Sequence, residues 1–505
     1  MELNPEQQAA LKILESGQNV FLTGKAGVGK STLLRQFLAK TKKNCIVCAP
    51  TGIAALNVGG VTLHRCFGIS TTPKGPDDPK REDIRPSKAL QQADVIIIDE
   101  ISMCRFDLFS YVCRYLMSLK KKVQIILVGD FFQLPPVITE TDAAALKSLW
   151  HVEEIGEGFA FMSHYWQQLK LKVINLQQVM RQSDTDFIEI LNAIRSGNDK
   201  DTDIIAWLRK NSEKNKAENH ALYTTAVRVV PYRKVADNIN KKRLSEIEED
   251  EHTYEGRLNG DFVVGDAPAE QTLSLKTGAR IMTLVNDPEG RFVNGSTGFV
   301  TNFDDKGGTV TVRFDDGKLA EISRYEWKKI RYKIDPFGRL VPEVTGTFNQ
   351  FPLRLAYAVT IHKSQGQTFS AIVVTPGMFA NGQLYVALSR CKSRDGFFID
   401  GTMKTGDWKV SGAVYDFYKE IEKNSGPETS QADSISNPRS SQPKAAPEPV
   451  ILNISFQQNQ MVFLRRYAEE DGQTAEAFVR RVVLDYMRSR FQMDKISALN
   501  ILQKP

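Results

Sequence analysis

The sequence predicts an α/β protein with two parallel-sheet domains and a smaller antiparallel β insertion, and three observations carry that expectation. Short apolar runs alternate with helical patterns through the first half of the chain. A second alternating region begins near Val173. Inside it, residues 273–347 change texture to short β-type runs separated by turn residues. Apolar runs that alternate with helices argue for a parallel sheet covered on both faces, whereas short runs broken by glycine turns argue for hairpins.

In chain order, the runs NVFLTG, NCIVCAP, DVIIIDE and VQIILVGD read as buried strands of the first domain. Between the second and third of these lies GISTTPKGPDDPKREDIRPSKAL, whose prolines and charges predict a surface loop or small insertion at about residues 68–88. HALYTTAV, LRLAYAV, SAIVVTP and GFFIDG read as strands of the second domain. In the insertion, ARIMTLVND, GSTGFVTNF and GTVTVRFDDG are punctuated by Asn294-Gly295, Gly307-Gly308 and Asp316-Gly317, which are hairpin signals.

The resulting layout is a first domain over 1–182, a second over 183–272 and 348–423, and a small β domain over 273–347. A linker at 424–449 is rich in Pro, Ser and Gln, and residues 450–505 form a patterned tail. In the tail, an alternating strand precedes two amphipathic helices separated near Gly472. That pattern resembles ribbon-helix-helix modules, which complete their core with a second chain and place a paired strand on DNA. A two-helix piece docking on the rest of the chain or on another protein fits equally well.

Composition sets wide bounds. The 505 residues carry a formal net charge of +6, which permits a nucleic-acid partner without requiring one. No apolar run approaches the roughly 18–20 residues that span a bilayer, and MELNPEQQAALKIL has no signal-type block, so the expected location is the cytoplasm, at the nucleoid in a bacterium. The six cysteines, including Cys45 and Cys48 in NCIVCAP, read as reduced core thiols because no second Cys/His pair follows.

The chemistry begins at the end of the first strand. Gly24 to Ser31 reads GKAGVGKS, set between the strand VFLT and the helix STLLRQFLAK. Glycines let backbone N–H groups curl around phosphate oxygens, and the helix N-terminus adds positive potential. Gly24, Gly27, Val28, Gly29, Lys30, Ser31 and Thr32 are therefore expected on ATP, with Lys30 at the β- and γ-phosphates. The Ser31 hydroxyl and Asp99, at the end of IIIDE, are expected on Mg²⁺. Glu100 supplies a base for water, which favours hydrolysis over transfer to another acceptor. Gln133, in GDFFQLPP after the next strand, is placed to hydrogen-bond the γ-phosphate, although the segment also reads as a simple turn. Arg181 in VMRQ and Arg390 in LYVALSR are candidates to neutralise charge on the transferring phosphoryl group, as an opposing domain must.

Taken together, these motifs resemble the superfamily-one DNA helicases, specifically the PIF-one (petite integration frequency) family. The resemblance rests on LNPEQ (3–7), GKAGVGKS (24–31), APTGIAALNVGGVTLHRCF (49–67), IIIDEISM (96–103), VGDFFQLPPV (128–137), VMRQ (179–182), AVTIHKSQGQTF (358–369) and LYVALSR (384–390), in the family's order over about residues 1–420. It implies two RecA-like P-loop domains with ATP hydrolysed in the cleft between them. It also implies 5′-to-3′ movement on single-stranded DNA, and action at single-strand/duplex junctions, on forks and on G-quadruplex DNA in replication, recombination and repair. By the same resemblance Gln7 reads the adenine beside Leu3 and Pro5, Arg181 and Arg390 are arginine fingers, and Gln133 is the γ-phosphate sensor. The insertion at 68–88 is then a wedge at the strand-separation point, and 273–347 a barrel resembling a Src-homology-three fold.

A translocating motor must hold its strand by the backbone on both domains, which calls for small polar donors and backbone amides at loop ends. Thr51, Gly52, Ile53, Thr62, His64 and Phe67 offer this on the first domain, and Thr360, His362 and Lys363 on the second. Gln365 and Gly366 would face the nucleotide. A DNA-binding factor that uses ATP only as a switch is the alternative class, and Glu100 with the two arginines argues against it. An RNA-directed motor is the third reading, distinguished by dependence on the 2′-hydroxyl.

Overall fold

The structure is a computed structural model that describes residues 3–80, 87–182, 184–197, 202–304 and 308–424. The expected linker and tail at 424–505 therefore lie almost wholly outside the described residues, as do 81–86 of the wedge segment.

The first sheet is wholly parallel, in the order β3-β2-β4-β5-β1-β6, where β1 is Val20–Gly24, β2 Cys45–Ala49, β3 Val61–Thr62, β4 Val95–Ile98, β5 Gln124–Val128 and β6 Lys172–Leu176. β1, β4 and β5 are buried along their whole length, as strands covered on both faces must be. The layout places β6 beside β1, so the run at Val173 closes the first domain and does not open the second. In open parallel sheets ligands collect at the carboxyl ends of the strands, and here the ends of β1, β4 and β5 carry Gly24, Asp99 and Asp130.

The second sheet is also parallel and has four strands, in the order Ala358–Thr360, Val227–Val230, Ile372–Val374 and Phe397–Ile399. Two strand expectations are corrected here. HALYTT forms the helix His220–Thr225, and only Val227–Val230 continues as strand. LRLAYAV is divided between two sheets. Leu353–Leu355 runs antiparallel to Arg280–Thr283, while Ala358–Thr360 runs parallel to Val227–Val230. Tyr357 makes the corner: its carbonyl accepts from the Arg228 N–H at 2.9 Å, and its hydroxyl accepts from the Arg280 N–H at 3.1 Å.

Antiparallel strands begin at His252, earlier than the expected residue 273, because His252–Glu255 pairs with Thr272–Leu275 and Arg257–Gly260 pairs with Leu340–Gln350. Five strands form one sheet around the Thr297–Asp304 strand, with its core in Ile281, Val300, Val310, Val312 and Leu353. The long hairpin Tyr325–Ile334/Leu340–Gln350 reaches back to the first domain. There the Tyr332 hydroxyl accepts from the Val47 N–H at 3.2 Å, and Arg65 pairs with Asp261 at 2.5 Å.

All six cysteines are free thiols, and Cys48, Cys104, Cys113 and Cys391 are buried. Among the described residues no helix is long and apolar enough to cross a membrane.

Candidate functional site: a nucleotide cleft between two parallel sheets

The loop after β1 holds its shape through glycine. Gly27 and Gly29 have φ of +81° and +84°, and Gly29 precedes the helix Lys30–Lys40. A Cβ at Gly27 would stand 2.6 Å from the Cβ of Arg181, and one at Gly29 would stand 2.4 Å from Nε2 of Gln7. Gly27 is thus needed for close approach as well as for backbone shape, whereas at Gly29 the backbone conformation is the firmer requirement because the Gln7 amide can swing aside. The Lys30 ammonium donates to the carbonyls of Gly24 at 2.6 Å and Lys25 at 3.1 Å. Burial lowers its pKa, and the carboxylates of Asp130, Glu100 and Asp99 oppose that shift.

Gln7 belongs to the helix Pro5–Glu15, whose N-terminus Asn4 caps in a reciprocal capping box with Gln7. Its Nε2 also donates to the carbonyl of Val28 at 3.2 Å, so Gln7 ties the N-terminal helix to the phosphate loop. Leu3 packs against the core of this domain, while Pro5 is exposed at the first turn of the helix. Ser31 is exposed and Thr32 half-buried in the first turn of the helix after the loop.

β4 delivers Asp99 and Glu100. Asp99 is 7% exposed, and its Oδ1 accepts from the Glu100 N–H at 2.9 Å. Burial raises the pKa of Asp99. The Glu100 carboxyl is pushed up to about 7, by burial first and then by Asp99. Glu100 adopts φ 51°, a left-handed conformation uncommon outside glycine, which is the kind of strain that marks functional positions. Gln365 Nε2 of the second domain donates to Glu100 Oε2 at 2.9 Å, a direct link between the two sheets. Gly366 follows, exposed and with φ 77°.

Asp99 and the Ser31 hydroxyl are hard oxygen donors of the kind Mg²⁺ accepts, and the buried Asp99 carboxylate lacks water to stabilise its charge. Among the described residues no group of three His, Cys, Asp or Glu side chains could hold a metal.

The two arginines converge on the same place. Met180 N–H donates to the carbonyl of Gly27 at 2.9 Å, which holds the VMRQ segment on the phosphate loop. Arg181 Nη1 donates to the Ser389 carbonyl at 3.0 Å, and Gln182 Nε2 to the carbonyls of Ser389 at 3.1 Å and Cys391 at 2.8 Å. Arg390 is 2% exposed; its Nε donates to Val386 O at 2.9 Å and its Nη2 to Ser389 Oγ at 2.8 Å. Burial and then Arg181 lower its pKa, while Glu100 opposes the shift. Gln133 is buried at the end of the β5 loop, and a Cβ at Gly382 of the second domain would stand 2.4 Å from its carbonyl oxygen.

Sequence reasoning missed a second set of groups that joins the domains here. Arg195, from the helix Thr185–Ser196, forms a buried bidentate pair with Asp130, with Nη2 to Oδ1 at 2.9 Å and Nε to Oδ2 at 3.2 Å. Its guanidinium lies 4.3 Å from the centroid of the Phe132 ring. The Tyr418 hydroxyl is 2.7 Å from Thr23 Oγ1, and the Tyr385 hydroxyl accepts from the Ala26 N–H at 2.8 Å. Asp130 and Tyr385 lay inside quoted motifs, but nothing local identified their partners. Arg195 and Tyr418 carried no signal beyond helical spacing.

The residues expected on DNA divide into several environments. Thr51, Thr62 and Thr360 each cap a short helix, their Oγ1 atoms accepting from the N–H groups of Ala54 at 3.3 Å, Arg65 at 3.2 Å and Lys363 at 3.2 Å. Such caps hold free helix N–H groups and the loop backbone at the strand ends. Gly52 opens the first of these helices, and Ile53 is 41% exposed. His64 is half-buried, with its pKa lowered by burial and by Arg105 and Lys74. Phe67 is 5% exposed and packs edge-on against Tyr115 with centroids 5.2 Å apart, so its ring belongs mainly to the domain core and offers little surface to a strand. His362 is half-buried with a lowered pKa, and burial, followed by Arg354 and Arg233, brings Lys363 down to about 8.

Comparison with known proteins gives a consistent result. Residues 2–204 match the PIF1-like helicase family, and residues 355–394 match the UvrD-like helicase C-terminal domain. The chain is 33% identical over 444 residues to the ATP-dependent DNA helicase Pif1 of Bdellovibrio bacteriovorus, covering 84% of this chain and 93% of that protein. It is 31% identical over 411 residues to the human ATP-dependent DNA helicase PIF1, of which it spans 60%. Among solved structures, Bacteroides sp Pif1 in complex with ADP-AlF4 superposes with a TM-score of 0.75 at 33% identity, over 84% of this chain and 98% of that one. Bacteroides Pif1 bound to ssDNA superposes over the same shares with a TM-score of 0.58 at 34% identity.

Proposed function

Because the chain belongs to the PIF1-like helicase family and is an ATP-dependent DNA helicase, we propose that it moves 5′-to-3′ on single-stranded DNA by hydrolysing ATP between its two parallel sheets. Its substrates on this reading are single-strand/duplex junctions and forks, with G-quadruplex DNA as a further structured target. The observation that carries the coupling is the hydrogen bond from Gln365 to the Glu100 carboxylate. Gln365 lies two residues beyond Lys363, so the hydrolytic base and the proposed DNA grip share one short segment.

In this mechanism the N–H groups of the glycine loop and Lys30 bind the phosphates. Ser31 and Asp99 would hold Mg²⁺, which would neutralise phosphate charge when bound. Glu100 accepts the proton of the attacking water, and Gln133 senses the γ-phosphate. Arg181 and Arg390 stabilise the charge that a loose phosphoryl transition state spreads over its oxygens. Gln7 positions the nucleotide end of the loop through Val28, and Leu3 and Pro5 flank the base. Loss of the γ-phosphate loosens the Gln365–Glu100 link and changes the hold of Thr360, His362 and Lys363 on the strand, while Thr51, Gly52, Ile53, Thr62 and His64 hold it on the first domain.

The test is the DNA stimulation of hydrolysis. Replacing both His362 and Lys363 by Ala should remove most of the rate increase that single-stranded DNA gives, while basal hydrolysis stays near the wild-type value. The affinity of the wild type for single-stranded DNA should also fall as pH rises through about 8, because Lys363 is cationic below that point and neutral above it. Full DNA stimulation in the double variant would remove this segment from the coupling path.

A further inference from the structure

Three neighbouring strands of the second sheet, Ala358–Thr360, Val227–Val230 and Ile372–Val374, run parallel, so the chain leaves all of them at one edge. From the first strand comes the segment with His362 and Lys363. From the middle strand come Tyr232 and Arg233, and from the third the loop that reaches Phe379. The rings of Tyr232 and Phe379 stack on each other with centroids 5.0 Å apart and planes at 24°. They remain 51% and 48% exposed.

Two large aromatic rings stacked in the open cover only one face each and leave apolar surface in water, which a further ring can remove. Arg233 follows Tyr232 directly in the chain, and Arg233 and Arg354 both act on Lys363, with Asp237, 3.5 Å from Arg233, and Glu270 as the acidic counterparts. Aromatic faces beside cations suit a chain of alternating rings and phosphates better than an apolar peptide. The platform is also wired to the nucleotide cleft. The Phe379 N–H donates to Gln383 Oε1 at 2.9 Å, and Gln383 opens the helix Gln383–Leu388, which carries Tyr385 and leads to Arg390.

We propose that the Tyr232–Phe379 pair is a stacking platform for an unpaired nucleobase of the tracked DNA strand. The proposal rests on the helicase reading above, to which it adds a base contact on the second domain. Stacking responds to any base and to no sequence, as a motor that passes over every sequence requires.

The experiment compares the full chain with its Tyr232→Ala, Phe379→Ala and Tyr232→Phe variants, using fluorescence anisotropy on labelled oligothymidylate and on an abasic oligomer of equal length. Tyr232→Ala and Phe379→Ala should each bind oligothymidylate about tenfold more weakly, while affinity for the abasic oligomer stays unchanged. Tyr232→Phe should bind both as the wild type does, and basal ATP hydrolysis should be the same in all four proteins. Unchanged oligothymidylate binding in the alanine variants would overturn the platform, as would an equal loss on both oligomers. Failure of the wild type to bind either oligomer would instead overturn the helicase reading beneath it.

Discussion

Glu100→Gln should lose ATP turnover by about 10²–10⁴-fold, the usual contribution of a positioned general base, while keeping its affinity for ATP and for single-stranded DNA. The substitution is nearly isosteric and removes only the ability to take a proton. Glu100 stands at φ 51° with its carboxylate held by Gln365 at 2.9 Å, and a glutamine there still offers an oxygen to that donor. The backbone of the loop and the contact between the two sheets therefore persist. Single-turnover hydrolysis together with nucleotide binding by fluorescence separates the two effects. Wild-type hydrolysis in this variant would remove Glu100 from the chemistry.

Arg390→Ala carries the other large expected loss, about 10³–10⁵-fold in turnover if the guanidinium acts as an arginine finger. Arg390 is 2% exposed, is held by Val386 O and Ser389 Oγ, and lies close enough to Glu100 and Arg181 to feel both charges. Placing two guanidinium groups together in a buried cleft is costly without an anion, and phosphate oxygens supply that anion. Arg181 alone should not rescue the variant, since its Nη1 is directed to the Ser389 carbonyl at 3.0 Å. Arg390→Lys should recover little, because a point charge cannot reproduce the planar fork. Equilibrium binding of ADP, which lacks the γ-phosphate, should change far less than turnover. A loss confined to ADP binding would mark Arg390 as a ground-state contact.

The shape of the glycine loop and of the strand end at Asp99-Glu100 was legible in the sequence because both signals are local. A strand, a glycine turn and a helix within one short segment define the phosphate loop, and an apolar run ending in Asp99-Glu100 is a comparable unit. Long-range pairing was less legible. LRLAYAV is uniformly apolar, and nothing in that pattern reveals that Tyr357 turns the chain from an antiparallel sheet into a parallel one. HALYTT is too short for its period to separate helix from strand, and the structure makes it a helix.

Phe67 sits in a motif of polar strand-end residues, yet its ring turns inward against Tyr115, because a single turn of helix presents both a solvent face and a core face. The Arg195–Asp130 pair spans the two domains, and no spacing rule relates a helix near residue 190 to the end of β5. Such a pair needs a fold before it can be seen. The aromatic pair at Tyr232 and Phe379 is of the same kind, since the strands that deliver its rings lie side by side in space but far apart in the chain.

The most direct test of the whole account is ATP-dependent displacement of a labelled strand from duplexes that carry either a 5′ or a 3′ single-stranded tail. The account predicts displacement from the 5′-tailed duplex that requires ATP and Mg²⁺, and little from the 3′-tailed one. Displacement from the 3′ tail alone, or equal displacement without ATP, would contradict it.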